Sequence, residues 1–170
     1  MNMAPAVDIQ FFKKSGGDIV VKELAIIPID YDIDPLVLLF KAPFPWRRLT
    51  EKYKRENTWL KTHVHGLSWE SGNLEYTNIG CLLRESLPAG CKVYVIGSTK
   101  KNYMARFKYD AIDVTDLGYL QVDVSKVVHF CDNHDFGCKS NCAAQNVKLV
   151  KKFLIAQKEW EDVSMEWEYA

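Results

Sequence analysis

Within the twelve residues from Cys131 to Cys142 fall three of the chain's five cysteines and one of its four histidines. Cys131 and His134 form a Cys-x2-His pair and Cys138 follows. Cys142 leads into an apolar helical pattern, Val147-Lys148-Leu149-Val150-Lys151-Lys152-Phe153-Leu154. Thiolate sulfur and imidazole nitrogen are ligands that zinc favours, at about 2.3 and 2.0 Å, usually four in a tetrahedron. The stretch offers four candidates, Cys131, His134, Cys138 and Cys142, and a fourth ligand can equally come from elsewhere in the chain. An odd number of cysteines leaves any disulfide scheme one short, and clustered cysteines in a reducing compartment bind metal more often than they pair.

The elements that must position these ligands belong to a single domain. The 170 residues are 48% hydrophobic and 12% aromatic, enough apolar side chain for a sizeable core and too much for a disordered chain. No apolar run approaches the roughly 20 residues of a membrane span. The first residues lack the basic start and apolar centre of a secretory signal, so the expected location is cytoplasmic or nuclear. Net charge is zero, which argues against strong nonspecific nucleic-acid binding. The distribution is uneven. Glu159, Glu161, Asp162, Glu166 and Glu168 crowd the last twelve residues, leaving residues 1–158 with 22 basic and 17 acidic side chains, a net of +5. Residues 1–158 read as one domain and 159–170 as an acidic, Trp-containing tail.

Val7–Phe12 and Ile19–Ile29 read as strands around a Gly16-Gly17 turn, and Leu36–Phe40 as a third. Arg47–His63 is charged, with Leu49, Tyr53 and Leu60 loosely at helical spacing, and His63–Trp69 reads as a loop. Asn78–Leu87 is a short amphipathic helix. Val93–Ile96 is a continuous apolar run, the mark of a strand buried on both faces. A helix carrying Tyr103, Met104 and Phe107 follows, then a short strand at Ala111–Val114. Val122–Phe130 is ambiguous, and Leu149–Trp160 is the last helix. Hairpin strands first, then alternating strands and helices, make an α/β fold with a mixed sheet.

Glu23 stands inside an apolar strand, where a carboxylate must face solvent, meet a cation or bind a metal. Strict alternation puts Val21, Glu23 and Ala25 on one face, which reads as solvated. Yet Lys22-Glu23-Leu24-Ala25-Ile26-Ile27, Leu38-Leu39-Phe40-Lys41-Ala42-Pro43, His63-Val64-His65-Gly66-Leu67, Cys131-x2-His134 and Cys142-Ala143, in that order, resemble the Maelstrom domain. That family is similar in turn to the DEDD exonucleases of RNase H-like fold, with kindred short proteins in invertebrate genomes and mobile or viral elements. The resemblance covers most of residues 6–156. It implies an RNase H-like fold with one structural Zn2+ held by Glu23, Cys131, His134 and Cys142. Cys138, which the family pattern does not require, is the alternative to Glu23.

The resemblance also says where exonuclease chemistry would sit. Two magnesium ions need acidic residues to stabilise the attacking and leaving oxygens at phosphorus. The Asp-x-Glu of the first strand reads Asp8-Ile9-Gln10 here, and an amide ligates magnesium poorly. Gly97-Ser98-Thr99-Lys100-Lys101 lacks the third acid, and Cys142-Ala143-Ala144-Gln145-Asn146 replaces a His and an Asp. Two-metal exonuclease activity is therefore expected to be absent. Four protein ligands would close the zinc site, making it structural.

What remains is binding. The resemblance implies single-stranded RNA as a ligand and, through it, a role in small-RNA silencing. Arg47, Arg48, Lys52, Lys54, Arg55 and Lys61, with Trp46, Tyr53 and Trp59 among them, could hold phosphates and stack on unpaired bases. The plainer reading is a solvated helical face with its aromatics buried. His63 and His65 could serve as acid and base in a metal-independent ribonuclease, against the plainer reading of a surface pair. Trp160 and Trp167 could dock on a silencing protein, as a viral or transposon-derived antagonist would, although Trp160 reads better as packed on the core.

Overall fold

The computed structural model describes residues 3–121, 134 and 141–168, the side chains of 166–168 excepted. Cys131, Cys138 and the Val122–Phe130 segment lie outside those residues. Five strands, β1 (Ala6–Lys13), β2 (Ile19–Ile27), β3 (Leu36–Leu39), β4 (Lys92–Val95) and β5 (Asp110–Asp113), form one sheet in the order β3-β2-β1-β4-β5. The first three are antiparallel neighbours, whereas β4 runs parallel to β1 and β5 parallel to β4. The helices are α1 (Glu51–Leu60), α2 (Ile79–Ser86), α3 (Ser98–Arg106) and α4 (Ala143–Glu168). The molecule is thus an α/β protein with a mixed sheet.

Each sheet face has its own core. Val7, Ile9, Val21, Leu24, Ile26, Val93 and Val95 pack with Leu83 of α2 and Met104 of α3. Ala6, Ala25 and Ile27 on the other face pack against Ala143, Val147, Val150 and Leu154 of α4. Burying side chains of this size contributes about 1.5–3 kcal/mol each. A third cluster joins Phe12 and Val20, paired near the far end of the β1–β2 ladder, to Leu49 and Trp69.

Strict alternation fails in β2, and with it the reading of a solvated Glu23. Gln10 pairs with Glu23 but Phe11 pairs with Val21, so Lys22 is the extra residue of a β-bulge. Val21 therefore joins the α2/α3 core with Leu24, while Glu23 falls on the opposite face with Ala25. Glu23 is fully buried there.

Two boundaries also differ from expectation. The last helix begins at Ala143 rather than Leu149, and it continues through Glu168, so the acidic residues form its final turns. Trp160, expected against the core, is 77% exposed. The segment read as a loop after His63 opens within a π turn, Lys61–His65, closed by Gly66 at a φ of 66°. Among the described residues no helix is long and apolar enough to cross a membrane.

Candidate metal centre

The α4 face of the sheet carries a row of buried polar residues, Asp8 and Gln10 on β1 and Glu23 on β2. The N-terminus of α4 lies over them and divides them into two clusters.

Glu23, His134 and Cys142 make the first. Their carboxylate, imidazole and thiol atoms all lie within 4.8 Å of one another. His134 Nε2 is 3.1 Å from Glu23 Oε2 and 3.2 Å from Oε1. Two ligands on a tetrahedral zinc at ordinary bond lengths stand about 3.3 Å apart. Glu23 Oε1 also accepts the Ala143 backbone N–H at 2.7 Å. That amide opens α4, whose positive end favours anionic groups. Cys142 is buried immediately before it.

The orientation of His134 follows from its other nitrogen. Nδ1 is 2.6 Å from the carbonyl oxygen of His65. A carbonyl only accepts, so Nδ1 carries the proton. In the neutral ring Nε2 then presents a lone pair towards a carboxylate, an arrangement that a cation between them would relieve. A histidine that donates one ring N–H to a backbone carbonyl and offers the other nitrogen is the usual posture of a metal ligand. An S, N and O donor set suits zinc. The residues present therefore fit a metal ion, with Cys131 outside the described residues.

His65 belongs to this centre as a support. Its Nδ1 accepts the Leu67 backbone N–H at 3.1 Å, so its Nε2 is protonated and donates to the Phe11 carbonyl, also at 3.1 Å. Burial pushes His65 down to about 4, which keeps the ring in the neutral form that this bonding requires. An edge contact with Phe12 completes its packing. With the ring pinned to β1, the π turn aims its carbonyls outward. Val64 accepts the Asn141 N–H at 2.6 Å, and His65 accepts His134. His63 has a different fate, exposed and stacked coplanar on Trp59, with ring centroids 5.2 Å apart and planes at 4°. One imidazole is internal with both nitrogens engaged by backbone, so the two do not form an acid–base pair on one surface.

The bulged Lys22 is fully buried. Its Nζ donates to the Trp69 carbonyl at 3.0 Å and to that of Ser71. Burial lowers it to about 8, with Glu70 pulling the other way. It ties the loop after the π turn to the strand that bears Glu23. Nothing in the local sequence signalled this role or that of His65.

The second cluster centres on Asp8. Lys100, from the first turns of α3, places its Nζ 2.5 Å from Asp8 Oδ1. Asp8 Oδ2 accepts from Asn146 Nδ2 at 2.9 Å and Gln10 Nε2 at 3.2 Å. The carboxylate is thus met by a cation and two amides. Asp113, the other buried acid of the sheet, caps backbone instead, and its Oδ1 accepts from Gly97 N at 2.8 Å and Thr115 N at 3.0 Å. Burial opposes its ionisation, but these bonds hold its carboxyl below the ordinary value.

The basic residues lie apart from both clusters. Arg47 and Arg48 sit in a 3-10 turn, Lys52, Lys54 and Arg55 on α1, and Lys61 just beyond it. All are exposed except the half-buried Lys54. The aromatics among them divide. Trp46 and Tyr53 are half-buried against the Phe12–Trp69 cluster, whereas Trp59 is 57% exposed.

No family model matches this chain, nor does any curated protein or solved structure.

Proposed function

We propose that this is a zinc-clamped, RNase H-like domain that binds single-stranded RNA without cutting it, as a component of small-RNA silencing. The fold reading is supported by the order of the sheet, three antiparallel strands first and then parallel strands alternating with helices. Glu23, His134 and Cys142, with Cys131 as the fourth ligand, would hold the ion. A closed four-ligand site supplies structural clamping, tying β2 to the start of α4 and so contributing to folding directly. The lack of exonuclease chemistry is supported by Asp8, whose carboxylate is engaged by Lys100, Gln10 and Asn146.

The observation that carries RNA binding is the exposed Trp59–His63 stack, with Lys52 and Arg55 on the same face of α1. An aromatic plane open to solvent among cations can take an unpaired base while the cations meet phosphates. Titration of labelled single-stranded RNA, followed by anisotropy at two salt concentrations, tests it. Stacking is worth about 1–3 kcal/mol per base, so Trp59→Ala should weaken binding roughly tenfold. Replacing Lys52 and Arg55 by Gln should flatten the salt dependence. RNA affinity that ignores all three substitutions rejects this surface, and scission of the RNA in EDTA would reject the non-catalytic assignment.

A further inference from the structure

Helix α4 has two apolar stripes. One is the core stripe of Val147, Val150 and Leu154. The other runs through Leu149, Phe153, Ala156, Trp160 and Val163, and the same spacing reaches Trp167 in the sequence. Steps alternating four and three residues are the 3.5-residue period of a helix that packs along another helix. At 100° per residue this stripe lies well over 90° from the core stripe. Leu149 is half-buried, Phe153 is half-buried with its ring edge-on to Tyr119 of the α4-face core, Ala156 is exposed, Trp160 is 77% exposed and Val163 47%. Among the described residues the last side-chain hydrogen bond of α4 to the body is Gln157 Nε2 to the Leu117 carbonyl at 3.0 Å, so the stripe outruns its support.

The stripe is symmetric about Lys158. Laid antiparallel on a copy of itself, position 149 meets 167, 153 meets 163, and 156 meets 160. Small faces large at the central layer, Ala156 against Trp160, which is how facing layers interdigitate. Charge is arranged for the same pairing. The first half of the helix carries Lys148, Lys151 and Lys152, and the second half carries Glu159, Glu161, Asp162, Glu166 and Glu168. In this register position 152 flanks position 166 of the other copy, a cation–anion pair made twice. On the same flank Glu159 meets Glu159 of the other copy, one like-charge contact against those two.

We propose that α4 is the interface of an antiparallel, two-fold homodimer with its axis near Lys158. The sheets then lie on the outer sides of the helix pair, because the second stripe faces away from the core. The interface is short, about 27 Å of helix at 1.5 Å per residue, so the dimer should dissociate in the micromolar range.

Sedimentation velocity of the full chain across a concentration series tests this. The wild type should shift from monomer to dimer with concentration. Trp160→Ala, at an exposed position that leaves folding intact by circular dichroism, should weaken dimerisation by about thirtyfold or more, as a central anchor does. Lys152→Glu alone and Glu166→Lys alone should each weaken it several-fold, and the double variant should restore it. A monomer at all concentrations overturns the proposal and leaves the stripe to a different protein. So does a dimer indifferent to Trp160→Ala, or a double variant no better than the singles. RNA affinity and metal content are read separately and do not enter this result.

Discussion

The two polar clusters under α4 lie side by side on one sheet face, are equally buried, and answer the same physical problem in opposite ways. Asp8 has a cation from its own chain, Lys100 at 2.5 Å, and amides on its second oxygen. Glu23 accepts the Ala143 amide and faces an imidazole and a thiol, a group that could hold a metal ion. One cluster is closed by a lysine of the same chain, whereas the other gathers a carboxylate, an imidazole and a thiol that could hold a metal ion. A buried carboxylate is thus met by a lysine in one cluster and by a group able to hold an ion in the other.

The contrast can be broken at several points. The largest effect should come from the metal side. Stripping zinc with a strong chelator, or Cys142→Ser, should cost on the order of 5 kcal/mol or more, because metal binding and folding are one equilibrium. Mass-spectrometric metal analysis beside thermal melts checks this, with zinc restoring the stripped wild type but not the variant. On the lysine side, Lys100→Met leaves a buried carboxylate uncompensated, a loss of about 3–5 kcal/mol. Adding Asp8→Asn should recover most of it, since the two residues act as one unit, and urea melts of both singles and the double measure the coupling. Neither variant should alter zinc content, which keeps the clusters separable. The smallest effect should be at the edge of the Asp8 cluster. The buried Tyr119 hydroxyl has no hydrogen-bond partner among the described residues. Tyr119→Phe should therefore be neutral or stabilising by up to about 1 kcal/mol in the same melts.

The strands were legible because β-branched runs and Gly-Gly punctuation are local signals, and β1 to β5 fall where those runs lie. Three of the five residues considered for the metal centre, Glu23, His134 and Cys142, meet in one place, Cys131 and Cys138 lie outside the described residues, and His65, read as an acid or base, is a support. What could not be read is long-range. The bulge at Lys22 is set by pairing with β1 and left no mark in a sequence that alternates plausibly either way. Lys100 reads in the sequence only as part of a stretch that lacks a third acid, yet parallel pairing of β1 with β4 brings it over Asp8. His65 looked like a loop imidazole because its partners, Phe11 and His134, are 54 and 69 residues away. The extent of α4 was underestimated because its last turns are polar and are held by helix propagation rather than by core contacts.

The extra residue in β2 has one more consequence. Removing Lys22 would leave Val21 and Glu23 on the faces they already occupy, since the insertion absorbs a step that strict alternation would otherwise require. The sheet's two interiors are therefore indifferent to it. A one-residue insertion gave the strand a spare side chain, and that spare side chain became a guy-rope, reaching outside both cores to steady the loop that follows the turn whose backbone meets His134.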